Sequence, residues 1–213
     1  MKKIAYYGGS FDPVHLGHLK IATELCSRFK LDEFNFVPAF HAPHKARLEP
    51  TSAFHRFAML ALATREFENI KVSTIEVESP EKPYTIETLT KILAANPSNE
   101  SYFVMGADSW DEITTWREWQ AVLTIVNVIV VTRPGFPIAF EHVTDEIRAR
   151  IVDLRKGASP HGALPKPAVF ITDFVQMDIS STEIRRSIRA DEDIWDALVP
   201  PDVAGYINKN NIY

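Results

Sequence analysis

Cysteine is almost missing: Cys26 stands alone in 213 residues. That excludes an internal disulfide framework, and one thiol cannot make a zinc site by itself. Lying in "LKIATELCSRF", Cys26 reads as a small buried hydrophobe of a helix rather than a reactive thiol. No long apolar run occurs, so nothing reads as a membrane span, and "MKKIAYYGG" meets glycine too early for a secretion signal. A basic excess is also absent. The formal charge is −5 and the pI about 5.8, whereas a surface for nucleic acid or anionic lipid needs a broad positive footprint. Neither nucleic acid nor membrane is expected as a partner, and any anionic ligand must be met by local positive charge. Solenoid repeats and low-complexity tracts are lacking as well. Cytoplasm is the default location.

What is present is a chain that is 46% hydrophobic, enough to bury a substantial core within one domain spanning residues 1–213. Short apolar runs alternate with amphipathic ones. "KIAYYG", "EFNFVP", "IKVSTIEV", "SYFVMGAD", "VNVIVVTRPG" and "AVFITDF" read as strands. Between them, helical periodicity runs over Leu16 to Phe29, over "TSAFHRFAMLALATREF" with Thr51 or Ser52 at its start, and over "TIETLTKILAAN" closed by Asn96 and Pro97. A short helical piece falls around Gln120 to Leu123, and "STEIRRSIRA" and the stretch from about Pro201 to Asn208 follow late in the chain. Strand and helix in alternation predict an α/β fold, a doubly wound parallel sheet in a three-layer, Rossmann-like sandwich. "RKGASPHGALPKP" reads as a surface excursion.

The stretch "GGSFDPVHLGH" carries the chemistry. In open parallel sheets ligands lie beyond the carboxyl ends of the strands, and a glycine-rich first turn lets main-chain amides approach phosphate oxygens. Gly8 and Gly9 are expected in that turn, followed by Ser10 and Phe11. Asp12 and Pro13 fit a helix start, one as capping acceptor, the other because its missing N–H is not needed there. His15 and His18 would then share one face of the first turn, where the helix dipole favours negative charge. Gly17 removes bulk between them. Imidazole donors, free amides and a helix N-terminus converging on one point suit phosphoryl or nucleotidyl transfer.

Further motifs follow in order: "PHK" at Pro43 to Lys45, "PYTIETL" from Pro83, "GADS" from Gly106, Trp116, "TRPG" from Thr132 and "ISSTEIR" from Ile179. The histidine string resembles the (H/T)xGH nucleotidyltransferase superfamily. The whole series is similar, along about the full chain, to nicotinate-nucleotide adenylyltransferase of bacterial NAD biosynthesis.

That resemblance implies an enzyme that joins the AMP moiety of ATP to nicotinate mononucleotide, releasing pyrophosphate by direct in-line attack. His15, His18, Lys45 and Arg185 would carry the catalytic charge, with His44 beside Lys45. Gly8, Gly9, Ser10, Phe11, Gly106, Asp108, Ile179, Ser180, Ser181, Thr182 and Arg185 would hold ATP, so that residues 179–213 complete its site. Asp108 would accept a ribose hydroxyl, a role that does not exclude capping the helix "SWDEI". Trp116 would stack on the pyridine, Tyr84 and Thr85 would meet the nicotinate carboxylate, and Arg133 a phosphate. Arg117 stands where many relatives carry tyrosine or histidine, and either pairs with that carboxylate or points into solvent. Trp110 and Trp119 read as packing residues. Mg²⁺ is expected with ATP, held by phosphate oxygens and water without a dedicated protein cage; His41 and His44, three apart, lack a third ligand. Two alternatives stay open: a sibling transferase preferring nicotinamide mononucleotide or phosphopantetheine, and a nucleotide-binding regulatory module without turnover. Oligomeric state is not decided by sequence.

Overall fold

The computed structural model describes residues 1–40, 51–79, 83–132, 137–162, 164, 167–175 and 177–213. Its strands are β1 (Lys3–Gly9), β2 (Glu33–Pro38), β3 (Ile70–Val72), β4 (Glu100–Gly106), β5 (Asn127–Val131), β6 (Ile151–Asp153) and β7 (Val169–Thr172). They form one sheet in the order β3-β2-β1-β4-β5-β7-β6, and every pairing is parallel. The helices are α1 (Leu16–Phe29), α2 (Ala53–Thr64), α3 (Thr85–Ala95), α4 (Ala107–Asp111), α5 (Trp119–Ile125), α6 (Asp145–Arg148), α7 (Ser181–Arg189) and α8 (Pro201–Asn210). The expected doubly wound sheet is present.

Alternation along the central strands divides the core in two. Tyr102, Val104, Ile129, Val131 and Phe170 pack with Leu25 and Phe29 of α1, Met59 and Leu60 of α2, Ile184 of α7 and Val203 of α8. Their neighbours Phe103, Met105, Val128, Val130 and Ile171 face the other way, onto Leu89 of α3, Trp110 of α4, Leu123 of α5 and Ile147 of α6. A strand whose side chains are buried on both faces reads as a continuous apolar run, as "VIVV" and "YFVM" do.

One expectation is corrected, and one strand goes unread in the sequence. The third strand stops at Val72 instead of running through "STIEV". Its partner explains this: the register Phe36 to Val72 brings Pro38 opposite the continuation, and proline has no N–H to donate. β6, three half-buried residues at the sheet edge, is too short to leave a periodic signal.

Candidate active site

The order in which successive strands are added reverses between β1 and β4, since β2 and β3 lie to one side of β1 while β4 and β5 lie to the other, all parallel. The crevice beyond those two strand ends is where such sheets bind ligands. Gly8 and Gly9 are the last residues of β1 rather than part of the turn, and the need for glycine there is steric. A Cβ at Gly9 would fall 2.8 Å from Cζ of Phe11, and one at Gly8 3.0 Å from Cε2 of Phe103. The turn itself is Ser10 to Val14. Phe11 adopts left-handed backbone, φ 49, at a cost of roughly 1–2 kcal/mol. Burial of its ring offsets this, packed edge-on against Tyr7, Phe36 and His18 with centroids 5.2, 5.1 and 5.0 Å away.

The helix cap also differs from expectation. His15, not Asp12, is the N-cap of α1, and the buried Asp12 carboxylate accepts instead from the Tyr213 hydroxyl at 2.6 Å and the Thr51 amide at 3.3 Å. A short polar residue before proline looks like a cap locally, but here the chain continues three residues further before coiling.

His15 and His18 do share a face. Their rings stack with centroids 3.7 Å apart and planes 25° from parallel, and the His15 amide donates to Nδ1 of His18 at 3.2 Å. An acceptor at Nδ1 assigns the neutral ring's proton to Nε2, so His18 is a hydrogen-bond donor without needing to be a cation. No acidic side chain lies in the first turn of α1, which leaves the positive end of the helix dipole uncancelled from within the turn.

Late in the sequence, α7 is fastened to the same turn. Ser180 caps it, accepting from the Thr182 amide at 3.3 Å. Ser181 Oγ donates to the Pro13 carbonyl at 2.9 Å. Arg185 donates to the Asp12 carbonyl at 2.5 Å and to Thr182 Oγ1 at 3.3 Å. Ile179 closes the seam, its Cβ 3.8 Å from where a Cβ of Gly17 would be. All three hydroxyls expected at phosphates therefore have partners within the chain. The Ser181 proton is already donated, whereas Ser180 and Thr182 act as acceptors.

Across the crevice, Trp116 is half-buried, 6.5 Å from Phe103 centroid to centroid, so Phe103 links Gly8 to Trp116. Tyr84 caps α3, and its amide donates to Glu87 Oε2 at 3.0 Å. Thr85 is left as the first helical amide that the helix itself cannot pair. Arg117 lies over the Tyr84 ring at 4.7 Å and pairs with Glu87 at 3.6 Å and Glu118 at 3.7 Å. Its side chain is exposed at the surface, as the solvent alternative has it, with its charge paired to these two carboxylates. Asp108 is exposed within the first turn of α4, whose N-cap is Gly106, so the capping role for Asp108 fails.

Residues 6–187 match the cytidylyltransferase-like family. The chain is 37% identical over 212 residues to a nicotinate-nucleotide adenylyltransferase of Solibacter usitatus, covering 99% of this chain and 99% of that one. With one from Streptomyces coelicolor it shares 34% over 206 residues, 97% of this chain and 98% of the other. The chain belongs to the nicotinate-nucleotide adenylyltransferase family. As a member it is an enzyme, a nucleotidyltransferase. In fold it is similar to the Plasmodium falciparum nicotinic acid mononucleotide adenylyltransferase complexed with NaAD, with a TM-score of 0.76 at 23% identity over 100% of this chain and 98% of that one.

For this nucleotidyltransferase, then, one edge of the sheet gathers His15, His18, Ser10, Phe11, Ile179 to Thr182 and Arg185, with Gly106 and Asp108 at the neighbouring strand end. Trp110 is fully buried, its indole donating to the Ala139 carbonyl at 2.8 Å, and Trp119 packs partly buried against the same cluster, so both are packing residues as expected. The expectations for His41, His44, Lys45 and Arg133 lie outside the described residues. Among the described residues no three His, Cys, Asp or Glu side chains come together as metal ligands, and no helix is long and apolar enough to cross a membrane. Burial pushes the Cys26 thiol up to about 11, an unreactive state at neutral pH.

Two residues escaped sequence reasoning. Tyr213 reaches Asp12 from 201 positions away, which no local pattern announces. Arg56 left a signal: it shares a helical stripe with Met59, Leu60 and Ala63, all buried, and a charge on an apolar stripe asks for an explanation.

Proposed function

We propose that the protein joins the AMP moiety of ATP to nicotinate mononucleotide, forming deamido-NAD and pyrophosphate. One observation carries the reading: two stacked imidazoles at a helix N-terminus, beyond the strand at which sheet order reverses. Membership of the family favours it over phosphopantetheine transfer and over a module without turnover.

In this reading an oxygen of the mononucleotide phosphate attacks the α-phosphorus of ATP. The new P–O bond forms as the bond from the α-phosphorus to the pyrophosphate oxygen breaks, and no protein nucleophile takes part. The chain then contributes position and charge. His18 donates from Nε2 to the α-phosphate as negative charge grows there, His15 holds His18 in place and faces the same phosphates, and the main chain of Gly8 to Phe11 lines the approach. Ile179 to Thr182 and Arg185, with residues 179–213 as part of one domain, complete the ATP side; Gly106 and Asp108 meet the ribose. Family resemblance adds His44, Lys45 and Arg133 as further phosphate contacts. Trp116 stacks on the pyridine, the Thr85 amide meets its carboxylate, and the Tyr84–Arg117 pair frames that end. Mg²⁺, carried with ATP by phosphate oxygens and water, would offset the charge of the phosphates. Among the described residues no group of three His, Cys, Asp or Glu side chains offers a cage, which suits an ion carried in that way. Localisation is taken as cytoplasmic.

Pyrophosphate release from ATP, measured side by side with nicotinate mononucleotide, nicotinamide mononucleotide and phosphopantetheine, tests this. Turnover is expected with the acid, at least tenfold more slowly with the amide, and not with phosphopantetheine. Absence of turnover with all three would refute the enzyme reading, and preference for the amide would refute only the pyridine selectivity.

A further inference from the structure

Arg56 is 1% exposed, an unusual place for a side chain that stays charged. Among the described residues its guanidinium forms no direct ion pair with a carboxylate. It donates instead to four main-chain carbonyls: Nη1 to Ser10 at 2.7 Å, Nε to Thr51 at 2.8 Å, and Nη2 to Ala39 at 2.6 Å and Phe40 at 3.3 Å. These are the first residues past β1 and β2 and the residues leading into α2, so one rigid fork ties three chain segments beyond the sheet edge. The Ser10, Ala39 and Phe40 carbonyls lie past the ends of β1 and β2 and the Thr51 carbonyl precedes α2, places where burial without a partner is costly. Asp12, Tyr213 and Glu76 surround the charge electrostatically.

We infer that Arg56 is a positioning residue for nucleotidyl transfer, holding the Ser10–Phe11 peptide in the orientation that the phosphate-binding turn requires. In a trans peptide the C=O and N–H point in opposite directions. Drawing the Ser10 carbonyl onto Arg56 therefore aims the Phe11 amide away from α2, while the preceding carbonyl, of Gly9, is held by the Ala39 amide at 2.9 Å. Two successive peptide planes are thus fixed from outside the turn. The Phe11 ring, whose place follows from that backbone, makes the edge contact with His18. Arg56 acts on the reaction through these groups and touches neither substrate. Lysine cannot replace it, because a single ammonium lacks the planar fork that reaches carbonyls in several directions.

The inference rests on the proposed reaction for one of its two readouts. In pyrophosphate release, Arg56→Lys is expected to lower kcat at least 30-fold while KM for ATP stays within threefold, and methylguanidinium is expected to restore part of the kcat of Arg56→Ala. Amide hydrogen exchange in the ligand-free protein supplies the second readout. Peptides covering residues 8–14 should exchange at least tenfold faster in Arg56→Lys than in wild type, with no change in Arg65→Gln, whose guanidinium is exposed. A folded Arg56→Lys with wild-type kcat and wild-type exchange would overturn the inference. Failure of all Arg56 variants to fold would also overturn it, making the residue purely structural. If wild type itself did not turn over nicotinate mononucleotide, the proposed reaction would fall, and exchange alone would decide the role of Arg56.

Discussion

Replacing Gly9 by alanine should damage catalysis and stability together, by comparable free energies. Gly9 does not need the left-handed region that only glycine enters freely, because its φ is not positive; the added methyl is the whole perturbation. It would meet Cζ of Phe11 at 2.8 Å and both Cε atoms at 3.1 Å. Carbon atoms in contact settle at about 3.5 Å or beyond, so the ring must retreat by roughly 0.7 Å. Phe11 is 3% exposed and walled by Tyr7, Phe36 and His18, in an interior with no slack to receive it. Overpacking of this kind costs about 1–3 kcal/mol. At about 2–4 °C per kcal/mol for a chain of this length, the melting temperature should fall by roughly 2–12 °C.

The ring's retreat presses on His18, which it touches edge-on. Misplacing a catalytic group by about 1 Å costs up to roughly 10²-fold in rate, so kcat for pyrophosphate release at 25 °C should fall 10- to 100-fold in Gly9→Ala while the protein remains folded. Gly205→Ala is the matched control. A Cβ there meets nothing within 4 Å, and in α8 the change from glycine to alanine should stabilise by up to about 1 kcal/mol with kcat unaltered. Equal kcat in Gly9→Ala and wild type, or a raised melting temperature, would refute the claim that the Gly9–Phe11–His18 contacts set the site.

Three other outcomes are expected. His18→Ala should lower kcat by about 10²–10³-fold, as loss of a donor to developing charge does, while calorimetry finds ATP affinity changed by less than tenfold; an unchanged kcat would remove His18 from the reaction. Tyr213→Phe takes one hydroxyl from the buried Asp12 carboxylate and should cost about 1.5–3 kcal/mol in a denaturant titration, with an unaltered midpoint disproving the contact's worth. Alkylation of Cys26 by iodoacetamide should be slow at pH 8 and keep accelerating until the thiol ionises at about 11, whereas a rate that levels off near pH 9 would show that burial does not govern this thiol.

Local signals explain which parts of the fold could be read in advance. α1, α2 and α3 combine periodic apolar faces with identifiable ends: Ser52 caps α2 by accepting from the Phe54 amide, and Asn96 ends α3. The central strands are apolar on both faces because both faces are covered. The histidine pair was legible for the same reason, since three residues of helix bring two side chains together regardless of the rest of the protein. Asp12 shows the limit. Followed by proline it has the local appearance of a cap, and its actual partners lie 39 and 201 residues away.

Distance in sequence also hid the cost of the hydroxyls in α7. Ser181 looked available because nothing nearby competes for it, yet its proton goes to Pro13, 168 positions earlier. The same tie explains how a late helix takes part in a site begun at β1. Since Ser181 and Arg185 both bind carbonyls of the Asp12–Pro13 pair, α7 has little freedom to shift unless the histidine turn shifts with it. Arg56 holds the start of that turn through the Ser10 carbonyl. A phosphate-binding turn must keep its own amides available for ligand, so its carbonyls are the groups left for the protein to grip; each of the two grips includes an arginine donating to main-chain oxygen, helped on the α7 side by Ser181. Sequence reveals such an arginine only as a charge out of place on an apolar stripe.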